Sequence, residues 1–244
     1  MIAPSRSRLS YRDRRSHQKQ RFRHVGVALA AVAVYLAVTH LAAAPYRVDS
    51  VSLEPTFPPG TRLLVHGYLI RSKDGGLSNP PSRGDVVAIK PPYVAEDGWG
   101  RKILNPLVRL VTFQKASLGA GRREGWENPV AFKRVIGIPG DTVHIIDSVA
   151  YVRPAGETYF LSEFETSGRG YDITVPQSPE GWTDSLPLSG AMADLTLGPG
   201  QYFVLGDNRG ASNDSRYWGP LSERDVRGRV LAPYWPLRIL GKPR

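Results

Sequence analysis

Cysteine is absent from the 244 residues. That excludes thiol nucleophiles, cysteine-based zinc sites and disulfides, although it does not fix the compartment. Histidine is scarce. Of the five, His17, His24 and His40 fall before residue 45, so only His66 and His144 remain for a Ser-His-Asp triad. Each also reads as an ordinary surface histidine. Lysine is scarce too: seven of the 32 basic residues, at 19, 73, 90, 102, 115, 133 and 242. Long apolar runs are limited to one. Glycine (25) and proline (21) are plentiful instead, which favours turns and short strands over long helices.

The formal charge of +10 invites a nucleic-acid reading, but its distribution argues against one. Residues 1–24 carry Arg6, Arg8, Arg12, Arg14, Arg15, Lys19, Arg21 and Arg23 against a single acid, Asp13. Eight minus one gives +7, so the remainder of the chain is nearly balanced. After this arm comes VGVALAAVAVYLAVTHLAAA, Val25 to Ala44, without Asp, Glu, Lys or Arg. About 20 helical residues at ~1.5 Å each span the ~30 Å of a bilayer core. The reading is a basic cytoplasmic arm (1–24), a transmembrane anchor (25–45) and an extracytoplasmic domain (46–244), oriented by the positive arm. A cleaved signal peptide is the alternative, given the small residues Ala42-Ala43-Ala44. The length of the apolar run and Pro45 directly after it favour the anchor.

Beyond Tyr46 the texture is β. Arg62–Val65 and Asp85–Lys90 are short apolar or β-branched runs entered through Gly60 and Gly84. Residues 93–129 and 146–198 look like insertions, the second a small β unit with long loops. In the first, Ile103, Leu104, Leu107, Val108, Leu110 and Val111 recur at helical spacing, which fits a helix packed on the core or lying on anionic lipid.

Three stretches carry candidate chemistry. Ser50-Val51-Ser52-Leu53-Glu54-Pro55-Thr56 places two hydroxyls two residues apart in a Pro-stiffened loop just past the apolar run. A serine nucleophile needs a base. Lys133 lies within Val130–Asp141, where alternation groups it with Ala131 and Val135, and Arg134 with Phe132 and Ile136. A lysine so placed is open to desolvation, which lowers its pKa and creates a base; it equally fits a lysine snorkelling from a strand edge. Arginine could not serve, because guanidinium stays protonated. Gly206–Pro220 is a dense polar loop after an apolar strand and suits the rim of a site.

In this order the segments resemble bacterial type I signal peptidases, membrane-anchored Ser/Lys proteases. SVSLEPT resembles the family's nucleophile box, usually S-x-S-M-x-P-T. GDVVAIK, FKRVIGIPGD and GDNRGASNDSRYWG resemble the later boxes, the last with matching Asp, Ser, Asp and Arg spacing. The resemblance implies a mainly β fold: a signal-peptidase-like β core with an inserted smaller β cap, preceded by one N-terminal transmembrane helix. It implies that Ser52 attacks, that neutral Lys133 is the base, and that the Ser52 N–H and the Ser50 hydroxyl hold the oxyanion. Ser212 would orient Lys133. Asp214 would pair with Arg216, and Asp207 with Arg209 would brace the loop. Neither cofactor nor metal is implied. The expected partners are signal-peptide-bearing preproteins cut after Ala-x-Ala sites and the lipid bilayer, with no nucleic acid, the protein acting as a monomer in the cell membrane. Leu53 stands where the family usually has Met, and Gly210 where many members have Asp. A soluble self-cleaving Ser/Lys repressor is disfavoured by the anchor and by the lack of a helix-turn-helix pattern. An inactive preprotein-binding relative is disfavoured by the full set of side chains.

Overall fold

A computed structural model describes residues 22–27, 30–31, 34, 44–67, 77, 79–94, 108, 130–175 and 190–236. Within them the chain is mainly β, as the Gly/Pro-rich, β-branched sequence predicts. Eleven strands form two sheets. The larger contains β1 (Ala44–Arg47), β2 (Arg62–Gly67), β3 (Val86–Ile89), β4 (Ala131–Gly137), β9 (Gln201–Leu205), β10 (Leu221–Ser222) and β11 (Val226–Trp235). Their order is β1-β2-β11-β3-β4-β9-β10. The smaller contains β5 (Thr142–Ile146), β6 (Val149–Arg153), β7 (Leu161–Ser162) and β8 (Met192–Thr196) in the order β7-β6-β5-β8.

Burial follows strand position. β3 lies between β11 and β4, and all four of its residues, Val-Val-Ala-Ile, are buried. Such a strand needs apolar groups on both faces. Val86 and Ala88 pack with Val48, Leu53, Phe57, Leu63 and Phe132. Val87 and Ile89 pack with Val135, Tyr202, Val204 and Leu221, with Ala131 alongside. Phe132 and its neighbours Ala131 and Val135 thus serve opposite clusters, the alternation expected of β4. A third cluster, Ile136, Val143, Ile145, Val152, Phe203 and Leu205, draws on β4 and β9 of one sheet and on β5 and β6 of the other, and so welds the two together. At roughly 1.5–3 kcal/mol for each large apolar side chain buried, these clusters fix where β4 and β9 can lie.

Two short helices matter for the site. α1 (Glu163–Ser167) follows β7 and starts with a capping box between Ser162 and Glu165. α2 (Ser215–Trp218) starts at Asp214, whose carboxylate accepts the Arg216 N–H. Most of the region 93–129, including the amphipathic stretch from 103, lies outside the described residues, as does most of the expected anchor. Among the described residues no helix is long and apolar enough to cross a membrane. The helical residues described at the start include Phe22, Val25, Val27 and Val34, all exposed.

Candidate active site

The first serine stretch becomes a 3-10 turn, Val51–Leu53, with Ser50 as its N-cap. The Ser50 Oγ accepts the Ser52 backbone N–H at 3.0 Å. The Glu54 N–H closes the turn on the Val51 carbonyl at 3.0 Å, and the Phe57 N–H reaches the Leu53 carbonyl at 2.8 Å. Leu53 and Phe57 sit in the core, anchoring the turn from below. Leu53 therefore occupies an apolar, fully buried position, where leucine and methionine are close in volume. The Glu54–Pro55 peptide bond is cis.

Opposite the turn, β4 brings Lys133. Ser50, Val51, Ser52 and Lys133 line one cleft of about 350 Å3, walled by Val48, Val130, Ala131 and Phe132 with Tyr93, Ala211 and Asn213 at other sides. β9 pairs with β4 only from Arg134 onward, so among the described residues Ala131–Lys133 have a strand partner, β3, on one side alone.

Lys133 is 3% exposed. Its Nζ donates to Ser212 Oγ at 2.9 Å. Burial lowers its pKa from the ordinary lysine value to about 8; the charge of Arg216 acts in the same direction, while Asp214 and Asp207 oppose. Desolvation leads because an ammonium in an apolar wall loses its water shell. The polar loop after β9 supplies Ser212, and its own geometry is tightly held. Asp214 accepts Arg216 Nε at 2.8 Å and Nη2 at 3.0 Å, and the Gly206 N–H at 3.0 Å. Burial alone would raise the Asp214 carboxyl, but the hydrogen bonds and charge of Arg216, aided by Gly206, hold it below the usual carboxylate range.

Asp207 and Arg209 hold the loop through different partners. Asp207 takes a bidentate contact from Arg134, Nε to Oδ1 at 2.8 Å and Nη2 to Oδ2 at 2.7 Å, and a bond from Thr56 Oγ1 at 2.5 Å. Arg209 turns the other way, to Glu163 at 2.6 Å, the Ser148 carbonyl at 2.7 Å and the Gly206 carbonyl at 3.0 Å. All three side chains, Asp207, Arg209 and Glu163, are at most 1% exposed. A fully buried charge needs a partner within reach, and chain proximity does not supply one.

The chain is similar to known proteins over most of its length. The family model for signal peptidase, peptidase S26, matches residues 21–235. The chain belongs to the peptidase S26 family of signal peptidases. Relatives include "Probable signal peptidase I-1" of Synechocystis sp., 26% identical over 90% of this chain and 85% of that protein. "Signal peptidase I V" of Bacillus subtilis is 29% identical over 75% and 80%. "Signal peptidase IB" of Staphylococcus aureus is 27% identical over 87% of each. A crystal structure of a signal peptidase I from Enterococcus faecalis V583 is 28% identical and covers 63% of this chain and 98% of that one, with a TM-score of 0.34. The protein is thus a serine peptidase.

For this S26 peptidase the histidines fall elsewhere. His144 sits on the small sheet, 3.2 Å from Asp194 and stacked on Phe160 with ring centres 4.2 Å apart. His66 lies in β2, opposite Arg229. Neither lines the cleft with Ser52. Sequence reasoning passed over Arg134, Thr56, Gly206, Glu163 and Tyr171. Arg134 and Thr56 each lie within a recognised segment, so a signal was present for them. Gly206 earns its place through close approach: a Cβ there would fall on Ser212 Oγ and lie 2.5 Å from both Ser212 Cβ and the Ser52 carbonyl oxygen. The Ser52 carbonyl also accepts the Asn208 N–H at 3.1 Å. The loop and the Val51–Leu53 turn are therefore pinned to each other.

Proposed function

We propose that this peptidase is a membrane-bound endopeptidase that removes N-terminal signal peptides from exported preproteins, cutting after Ala-x-Ala sites with a Ser52/Lys133 dyad. The observation that carries the reading is the buried Lys133, with its lowered pKa and its bond to Ser212, in the cleft that Ser52 lines. Ser52 Oγ attacks the scissile carbonyl while neutral Lys133 takes its proton. The new oxyanion receives the Ser52 N–H and the Ser50 hydroxyl. An acyl-enzyme forms, and Lys133 passes the proton to the leaving amine. Water, deprotonated by Lys133, then releases the acyl group. Without substrate the two oxyanion donors are engaged with each other, since Ser50 Oγ accepts the Ser52 N–H. Rotation of Ser50 about χ1 frees the Ser52 N–H from Ser50 Oγ and brings the Ser50 hydroxyl round, so that both can donate to the substrate oxygen.

The apolar run from residue 25 serves as the anchor and ends before β1, which takes Ala44 and Pro45 into the larger sheet, with the basic arm cytoplasmic and the catalytic domain outside. Ser52 follows Ala43, the residue before β1, by nine residues, at most about 32 Å of extended chain. The nucleophile therefore works close to the outer membrane–water boundary, the layer in which a membrane-inserted preprotein presents its cleavage site. Confinement to that layer raises the effective concentration.

The deciding experiment is cleavage of a membrane-inserted preprotein by the purified full-length protein. The wild type should cut after Ala-x-Ala, and Ser52→Ala should leave no cleavage above background. Cleavage by Ser52→Ala at the wild-type rate would overturn the assignment. A second expectation concerns pH. Only neutral Lys133 is a base, so activity should fall as pH drops through about 8. The neutral fraction declines roughly 50-fold between pH 8 and pH 6. A kcat/KM profile flat from pH 9 to 6 would contradict a lysine base.

A further inference from the structure

The smaller sheet and the segment after it reach the catalytic loop through a buried polar chain. Glu163, at the start of α1, is 1% exposed. Its Oε2 accepts Arg209 Nη2 and the Tyr171 hydroxyl, each at 2.6 Å, and its Oε1 accepts the Ala150 N–H at 2.9 Å. Arg209 Nε holds the Gly206 carbonyl at 3.0 Å. The Tyr171 ring lies over the Arg134 guanidinium, 3.8 Å from ring centre to Cζ, and Arg134 grips Asp207. Backbone bonds run beside this chain: the Thr174 N–H to the Asp207 carbonyl at 2.9 Å, and the Arg209 N–H to the Thr174 carbonyl at 2.8 Å. Two routes thus leave one carboxylate and meet at Gly206-Asp207. That dipeptide stands directly against Ser212, the residue bonded to Lys133.

We propose that Glu163 is a positioning residue of the peptidase: through Arg209 and Tyr171 it fixes Gly206-Asp207, and so holds Ser212 against Lys133. The proposal rests on the Ser/Lys reading above. It gives a physical reason for two full charges, Glu163 and Arg209, in a place closed to water. A well-packed apolar pair of similar volume would stabilise the fold at least as well, but it would not orient a carbonyl. Burial, the Glu163 carboxylate and its hydrogen bond push the Tyr171 hydroxyl well above the usual phenol range, so it remains a donor at working pH. The smaller sheet therefore takes part in catalysis indirectly, by setting where Ser212 can be.

The test compares Glu163→Gln and Tyr171→Phe with wild type in full-length protein, using a preprotein or signal-peptide substrate. Glu163→Gln removes the charge and sets an amide against two donors. Tyr171→Phe removes one hydroxyl and keeps the ring over Arg134. A displacement of Ser212 by about 1 Å costs 10- to 100-fold in turnover, so kcat should fall by about that much in Glu163→Gln and several-fold in Tyr171→Phe, with KM within twofold. A loosened loop also admits water to Lys133. Of the groups acting on it, Asp214, Arg216 and Asp207 are unchanged in both variants, so only its desolvation is relieved. The acid limb of the pH–rate profile should therefore move upward by about half a unit or more. A merely structural role would lower the melting temperature and leave kcat per folded molecule and the acid limb in place; that result overturns the proposal. If Glu163→Gln does not fold, Tyr171→Phe decides alone, its acid limb moving for the proposal and staying against it. A wild type that fails to cleave sinks the peptidase reading itself, whereas an active wild type with unchanged variants sinks only the role of Glu163.

Discussion

Lys133→Met is expected to abolish signal-peptide cleavage, by about 10⁴-fold or more, without loss of stability at neutral pH. On the proposed Ser/Lys mechanism the activity loss follows from removing the base that a neutral serine requires. Lys133→Arg should be equally inactive, because guanidinium stays protonated where Lys133 titrates at about 8. Stability is the less obvious half. Lys133 has a lower pKa folded, about 8, than its ordinary value of 10.5. Between those values the unfolded chain binds the proton and the folded chain does not, so wild-type stability rises with pH across that window. Below about pH 8 the desolvated ammonium is a cost to the fold, on the order of 1–3 kcal/mol. Methionine has similar length and no charge, so it removes that cost along with the Ser212 bond. Thermal melts at pH 7 and pH 10 read this directly. The variant should match or exceed wild type at pH 7, and its advantage should shrink by pH 10. A variant less stable than wild type by several degrees at pH 7 would refute the desolvation argument, whatever its activity.

Gly206→Ala should be strongly damaging. The added carbon meets Ser212 Oγ, Ser212 Cβ and the Ser52 carbonyl at once. Of these neighbours one is backbone and one is a short side chain already committed to Lys133, so neither can give way without moving the site. The Gly206 N–H is bonded to Asp214 and its carbonyl to Arg209, which prevents the glycine itself from retreating. Overpacking of this kind costs about 1–3 kcal/mol. Because the atoms displaced belong to the turn that carries the proposed nucleophile and to the residue bonded to the proposed base, turnover should fall at least about 100-fold even in the folded fraction. Gly170→Ala is the matched control. A Cβ there meets nothing within 4 Å, so melting temperature and kcat should both stay near wild type. Wild-type turnover in Gly206→Ala would mean that the loop and the serine turn are not packed as described.

The contrast between Gly206 and Arg209 shows how far the sequence could be read. Both stand in the same polar loop, and the loop was recognisable as a site rim from its composition alone. Which partner each residue meets was not. Arg209 is two positions from Asp207, and the family resemblance gives both the task of bracing the loop without saying what each one holds. The folded chain instead gives Asp207 to Arg134, 73 residues away, and Arg209 to Glu163, 46 away. Glu163 has no local signature, because its surroundings are assembled from β6, the Tyr171 segment and the loop after β9. Gly206 likewise reads as a simple turn glycine until Ser212 and Ser52 are brought against it.

The Ser50-Val51-Ser52 turn, the isolated Lys133, the alternation of β4 and the apolar run after a basic arm were all determined by the sequence alone. Each rests on local rules: proline stiffness, strand period, scarcity of lysine and the length of an uncharged stretch. Only the tertiary structure decided that Lys133 is buried against Ser212, that Ser50 and Ser52 are bonded to each other, and that the inserted segment carries a carboxylate bracing the catalytic loop. The reason is physical. Desolvation and ion pairing depend on what surrounds a group in space, and those surroundings come from strands far apart in the chain that only packing brings together.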